Sequence, residues 1–188
     1  MRRGRDGLGW GLGPNGGGAC RAAGVTPDGL IGTLGKALGT FGAFVAGSQD
    51  LIAWLTNRAR SFVFSTAPPP SLAAAATHAI ELAQGPEGTH RRERLARHRR
   101  AVAGTLAALE LPVPLGEAPI LPIVVGRADA ALHLASQLRE RGLSAPAIRP
   151  PTVPADTSRL RLSLSAAHSD EDIARLCAAL VELRSQLR

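Results

Sequence analysis

Of the 22 lysine and arginine residues in this chain, a single one is lysine, Lys36. Arginine stays charged and cannot act as an amine nucleophile, so a solitary lysine in an arginine background is either an accident of composition or a residue whose chemistry arginine cannot supply. That chemistry is condensation of the amine with an aldehyde to give a Schiff base. It requires the amine to lose its proton readily, through burial or a neighbouring cation. Pyridoxal phosphate is the usual aldehyde, and its ring then serves as an electron sink for a carbanion. A phosphate needs hydroxyls and backbone amides around it, and Thr33 precedes Lys36 by the spacing of one helical turn. Glycines on both sides of the lysine, in Asp28-Gly-Leu-Ile-Gly-Thr-Leu-Gly-Lys36-Ala-Leu-Gly39, predict a tight turn where backbone approaches a ligand closely.

Other constellations carry less. Gly11-Leu-Gly13-Pro-Asn-Gly16 has the form G-x-G-x-x-G, but a dinucleotide fingerprint needs a strand before it and a helix after it, and here glycines precede it while Pro14 and Asn15 make a turn. Leu30 to Lys36 is not a phosphate-binding P-loop, because Leu30 replaces the first glycine and Ala37 the required Ser or Thr. Ser65 and Ser163 sit in no nucleophile elbow. The five histidines, His78, His90, His98, His133 and His168, show no metal-ligand spacing and read as surface or capping residues. Cys20 and Cys177 are too few for a disulfide framework or a zinc knuckle. The run from His90 to Arg100 could touch phosphates. The plainer reading is the solvated face of a helix with Glu93 and Arg97 as an i,i+4 pair.

The elements that would position these residues follow from periodicity and punctuation. Residues 4 to 18 are glycine-rich and read as a loop. Ser48 reads as an N-cap with Asp50 in the first turn of a helix whose Leu51, Ile52, Leu55 and Ala59 share a face. Phe62 to Thr66 predicts a short strand or loop, stopped by Pro68, Pro69 and Pro70. Helices are predicted over 71–84, ended by Gly85 and Pro86, and over 87–110, with Leu95, Val102, Leu106 and Leu109 inward. A strand follows at 120–125, then a helix over 128–141 closed by Gly142. Strands at 145–149 and 159–165 come next, the second alternating arginine and serine against Leu160, Leu162 and Leu164. Ser169 with Asp172 forms a capping box for a last helix carrying Ile173, Leu176, Leu180, Leu183 and Leu187. This order implies an α/β layered domain with a boundary near residues 85 to 90.

Composition sets outer limits. Hydrophobic residues make up 45% and charged residues 20%, enough to bury a core. No uncharged apolar run reaches the roughly 20 residues of a membrane span, and no apolar segment follows the charged N-terminus as in a signal peptide; the expected compartment is the cytoplasm. A net charge of +7 invites nucleic acid, but 3% aromatics with no tyrosine leaves no stacking platform.

Four stretches, in order, resemble the α-oxoamine synthases, the fold-type-I pyridoxal-phosphate acyltransferases. They are Thr33-Leu-Gly-Lys36-Ala-Leu-Gly39, Asn57-Arg58-Ala-Arg60-Ser-Phe-Val-Phe-Ser65-Thr66-Ala67, Ala147-Ile-Arg149-Pro-Pro-Thr152-Val-Pro154, and Arg159-Leu-Arg-Leu-Ser-Leu-Ser-Ala-Ala-His168. The match runs over about residues 11 to 183 and covers the C-terminal half of the family pattern. It implies the end of a cofactor-binding large domain, residues 1–87, and a small C-terminal α/β domain, residues 88–188. By resemblance Lys36 holds pyridoxal 5'-phosphate and later moves protons at the amino-acid Cα, and Thr33 binds the phosphate. Ser65 and Thr66 reach the phosphate of a second subunit in a homodimer, Arg149 holds a substrate carboxylate, and Thr152 lines the substrate pocket. The Arg149 to Pro154 run is most like the biotin-pathway members, which implies decarboxylative condensation of L-alanine with a pimeloyl thioester. Relatives using glycine and an acetyl thioester are the near alternative, and a non-catalytic basic binding module is the alternative of a different class. The family's Asp-x-Ala-His stretch has no clear counterpart before Gly11, where Arg5-Asp6-Gly7-Leu8 stands.

Overall fold

The computed structural model describes residues 18–187. The glycine-rich 4–17 segment, with the Gly11 to Gly16 motif, lies outside the described residues; Gly18 itself opens a helix. The chain divides between Arg92 and Glu93 into two compact units.

In the first unit, α1 (Gly18–Ala22) leads to a hairpin of β1 (Gly29–Thr33) and β2 (Ala43–Gly47), paired antiparallel with Gly32 opposite Phe44. The glycines here are packing devices. A Cβ at Gly32 would lie 2.3 Å from the Phe44 ring, and one at Gly47 2.7 Å from the Leu51 side chain. The ring therefore covers the backbone of β1 directly, and Leu51 seats α2 (Gln49–Arg58) against the open end of the hairpin. Ser48 caps α2 as expected, its hydroxyl accepting from the Leu51 N–H. Of the stretch Phe62 to Thr66, read as a short strand or loop, Phe64 to Thr66 are loop but Phe62 and Val63 are helical. Arg60–Val63 forms a one-turn helix, α3, held by bonds from Val63 N–H to the Ala59 carbonyl and Phe64 N–H to the Arg60 carbonyl. A short aromatic run satisfies either period, and the extended break at Ala59 starts a new turn here. Helix α4 (Pro70–Gln84) begins with proline in its first turn, where no N–H partner is needed. Gly85 and Pro86 end it and open α5 (Pro86–Ala108), which runs through the division between units.

The second unit layers a sheet against helices. Strands β3 (Ile120–Gly126), β4 (Ala147–Ile148) and β5 (Ser158–Ser163) stand in the order β3-β5-β4, antiparallel throughout. The strand expected over 145–149 shrinks to two residues, because Pro146 and Pro150 flank it and cannot donate to a ladder. Leu160, Leu162 and Leu164 are buried and Arg161 and Ser163 exposed, so the alternation sets which face is covered. Covering it are Val102 and Leu106 of α5, Leu134 and Leu138 of α6 (Ala128–Glu140), and Ile173, Leu176 and Leu180 of α7 (Asp170–Glu182), in one apolar cluster. Gly142, at φ +74°, ends α6 in the left-handed conformation that favours glycine. Ser169 and Asp172 form the reciprocal capping box of α7, at 3.0 and 3.1 Å.

Candidate active site

Lys36 stands in the connection between β1 and β2. The Leu34 N–H donates to the Gly42 carbonyl (2.9 Å), Thr40 N–H to the Leu34 carbonyl (3.0 Å) and Gly39 N–H to the Lys36 carbonyl (3.1 Å). The last bond closes a turn over Lys36 to Gly39, and Gly39 takes φ +62° to leave it. Leu38 is buried while Lys36 is exposed, so one side chain of the turn anchors it and the other presents an amine. Lys36 pairs with no carboxylate among the described residues.

Thr33 is not one helical turn from Lys36. It is the last residue of β1, in register with Ala43, and the chain turns after it. Its Oγ1 is shielded from solvent and has no hydrogen-bond partner among the described residues. A buried hydroxyl without a partner costs about 1–3 kcal/mol, so it marks a place where a partner belongs. An unpaired hydroxyl and a presented primary amine at one end of a hairpin fit a ligand with a phosphate and an aldehyde, which is what pyridoxal phosphate carries.

Ser65 and Thr66 follow α3 and are exposed; the Ser65 hydroxyl donates to the Phe62 carbonyl (3.3 Å). In the second unit, Arg149 and Thr152 are brought together by a turn in which the Thr152 N–H donates to the Arg149 carbonyl (3.1 Å), across a cis Pro150–Pro151 bond. Both are exposed, and the Arg149 guanidinium has no ion-pair partner among the described residues, which leaves its fork free for a carboxylate. Sequence reasoning passed over Thr40, whose hydroxyl donates to the Leu72 carbonyl of α4 at 3.4 Å. Nothing in a spacing of four from Lys36 signals a contact 32 residues away.

The arginine-rich stretch of α5 is used differently from a plain solvated face. Arg92 donates to the Ala83 carbonyl and to Thr89, and Arg99 donates to the Ala118 (3.1 Å) and Pro114 (2.8 Å) carbonyls. The i,i+4 ion pair is Glu87 with Arg91 at 2.6 Å rather than Glu93 with Arg97, and that guanidinium holds the Glu87 carboxyl below its ordinary range. His98 is buried, against expectation. Its Nε2 lies 2.9 Å from Asp170 Oδ1 and its Nδ1 3.3 Å from the Ser165 carbonyl. The hydrogen bond from His98 keeps the Asp170 carboxyl below the usual carboxylate value. No cluster of His, Cys, Asp and Glu suited to a metal ion occurs among the described residues, and no described helix is long and apolar enough to cross a membrane.

The family model described as aminotransferase class I and II matches residues 14–180. The 8-amino-7-oxononanoate synthase of Acidithiobacillus ferrooxidans is 51% identical over 156 residues, covering 83% of this chain and 39% of that protein. Among solved structures, serine palmitoyltransferase from S. paucimobilis with a bound PLP–myriocin adduct superposes with a TM-score of 0.84 at 28% identity, over 96% of this chain and 46% of that one. The 8-amino-7-oxononanoate synthase from Francisella tularensis gives a TM-score of 0.82 at 25% identity, over 97% of this chain and 55% of that one. The chain thus spans about two fifths of the length of the curated relatives it matches, 39% of one and 44% of another. Its fold is that of the C-terminal part of a fold-type-I pyridoxal-phosphate-dependent transferase, and the chain belongs to the aminotransferase class I and II family.

Proposed function

We propose that the chain forms the lysine-bearing and C-terminal portion of a pyridoxal-phosphate-dependent acyltransferase of the 8-amino-7-oxononanoate synthase type. The reaction condenses L-alanine with a pimeloyl thioester, on coenzyme A or a carrier protein, with release of carbon dioxide and the free thiol, in biotin biosynthesis. The observation that carries this reading is the unpaired, shielded hydroxyl of Thr33 at the same hairpin end as the sole lysine. The 51% identity to a named synthase favours it over the acyltransferases acting on glycine or serine. A basic binding module is disfavoured, because Arg92 and Arg99 direct their donors at backbone carbonyls.

In this reading residues 1–87 close a cofactor-binding large domain and residues 88–188 form the small domain. The Lys36 amine holds the cofactor aldehyde carbon and afterwards carries a proton to or from the amino-acid Cα. Bound pyridoxal phosphate supplies a conjugated ring that accepts the electron pair left at Cα when the carboxylate departs. The Thr33 hydroxyl donates to the phosphate, and Ser65 and Thr66 do so from a second subunit of a cytoplasmic homodimer. Arg149 offers two parallel N–H donors to a substrate carboxylate, and Thr152 lines the pocket beside it.

Borohydride reduction of the purified chain with pyridoxal phosphate, followed by peptide mass mapping, tests the reading. With one lysine, the N-terminal amine is the only other primary amine to label. Stoichiometric label on Lys36 at low cofactor concentration, abolished by denaturation, is the expected result. Label confined to the N-terminus overturns it.

A further inference from the structure

We infer that Thr40 is a positioning residue for Lys36, acting through the one side-chain hydrogen bond that, among the described residues, ties the lysine-bearing connection to another element of the first unit. The inference rests on the reading of Lys36 as the cofactor-holding amine. Residues 34 to 42 are closed on themselves by backbone bonds from Leu34 to Gly42, Thr40 to Leu34 and Gly39 to Lys36. Those bonds fix the shape of the turn but not its place relative to the rest of the unit. Gly39 and Gly42, both at positive φ, leave the turn's C-terminal arm little stiffness of its own.

Beside the buried Leu38 side chain, Thr40 supplies a directional restraint. Its backbone N–H belongs to the turn, while its half-buried hydroxyl donates to the Leu72 carbonyl at 3.4 Å. The same oxygen accepts the Phe41 N–H at 2.6 Å, so the hydroxyl is held from both sides, as acceptor within the turn and as donor to α4. Leu72 lies in the first turn of α4, directly after the Pro68 to Pro70 run that follows Ser65 and Thr66. Proline fixes φ, so this run is a stiff strut. The bond thus connects the segment that presents the amine to the segment that presents the two hydroxyls, through elements with little freedom. A cofactor held by its aldehyde at one segment needs the amine at a set place, and an ångström of drift is expensive in a positioned site.

Thr40→Val keeps the shape and removes the hydroxyl; Thr40→Ser keeps the hydroxyl and removes the methyl group. For each full-length chain, the cofactor concentration giving half-maximal borohydride-trapped label on Lys36 is measured, together with the absorption spectrum of the cofactor-loaded chain and the thermal unfolding midpoint without cofactor. The expected result is a rise of about two- to tenfold in half-saturating pyridoxal phosphate for the valine variant, the range that one lost hydrogen bond produces. Its absorption band is altered, its unfolding midpoint falls by no more than the loss of one hydrogen bond accounts for, and serine restores the parental values. A valine variant that loads like the parent, or a serine variant as weak as valine, overturns the role of Thr40 while leaving that of Lys36 standing. A parent chain that never labels at Lys36 overturns the reading of the lysine itself, and the Thr40 inference with it.

Discussion

Thr33 poses a test in which stability and binding move in opposite directions. Its hydroxyl is buried and unpaired among the described residues, so in the cofactor-free chain it contributes a desolvation cost and no bond. Thr33→Val, close in shape, is expected to leave the cofactor-free unfolding midpoint unchanged or higher. The same substitution should raise the half-saturating pyridoxal phosphate by about tenfold or more, since bonds to charged groups are among the stronger ones. Equal binding by both chains would remove Thr33 from the phosphate site. At this scale the sequence was legible where residue type alone decides: one lysine, with glycines beside it. It was silent where a side chain answers a distant backbone. His98 and Arg99 read as surface residues because their acceptors, Asp170 and the Pro114 and Ala118 carbonyls, come from parts of the chain whose approach no local pattern encodes.

Element by element, the helices and strands of the second unit follow their punctuation closely, because caps and alternation are local. The Ser169–Asp172 box, the Gly142 stop and the Leu160–Leu164 alternation each state a boundary or a face in a few residues. Phe62 and Val63 were misread because a short apolar run fits both periods, while Phe64 to Thr66 follow the loop reading. The helix starts carry an electrostatic signature too. Bonded by Arg127, the Asp129 carboxyl at the start of α6 is held from 3.8 down to about 2. In α7 the Glu171 and Asp172 carboxyls also lie below their ordinary values, lowered by hydrogen bonds at the helix start that include Ser169. A carboxyl with a lowered folded-state value stabilises the fold above its unfolded value, and that gain is lost as pH falls through the folded one. Stability is therefore expected to decline as pH drops from about 4 toward 2, the window set by Asp129, with a shallower decline in Asp129→Asn. Ser169→Ala should cost about 0.5–2 kcal/mol at neutral pH, and urea unfolding across that pH range measures both. A variant as stable as the parent at pH 6 would discount the cap.

For the molecule as a whole, the two units differ in what holds them. Leu38 and Ala76 are the only buried hydrophobic side chains among the described residues of the first unit, and the remaining apolar core belongs to the second. The first unit instead exposes Ile31, Phe41, Trp54, Phe62 and Phe64, each more than half accessible. Apolar burial is the main term favouring a folded state, so this unit has less to hold it folded than the second. Limited proteolysis should cut first between residues 23 and 92 and leave a resistant fragment beginning near residue 93. An apolar dye should bind the intact chain and be lost with that cleavage. Resistance spread evenly over both units would contradict this division.

The second unit's sheet carries a further consequence in Pro122. Among the described residues β3 is an outer strand, and Pro122 stands in its middle, opposite Arg161, with no N–H to offer. The other outer strand, β4, is two residues long. One margin is chemically blunted and the other too short to template a neighbour, so neither invites strand addition from another molecule. Protection against β-mediated self-association is thus written into this unit independently of any catalytic duty.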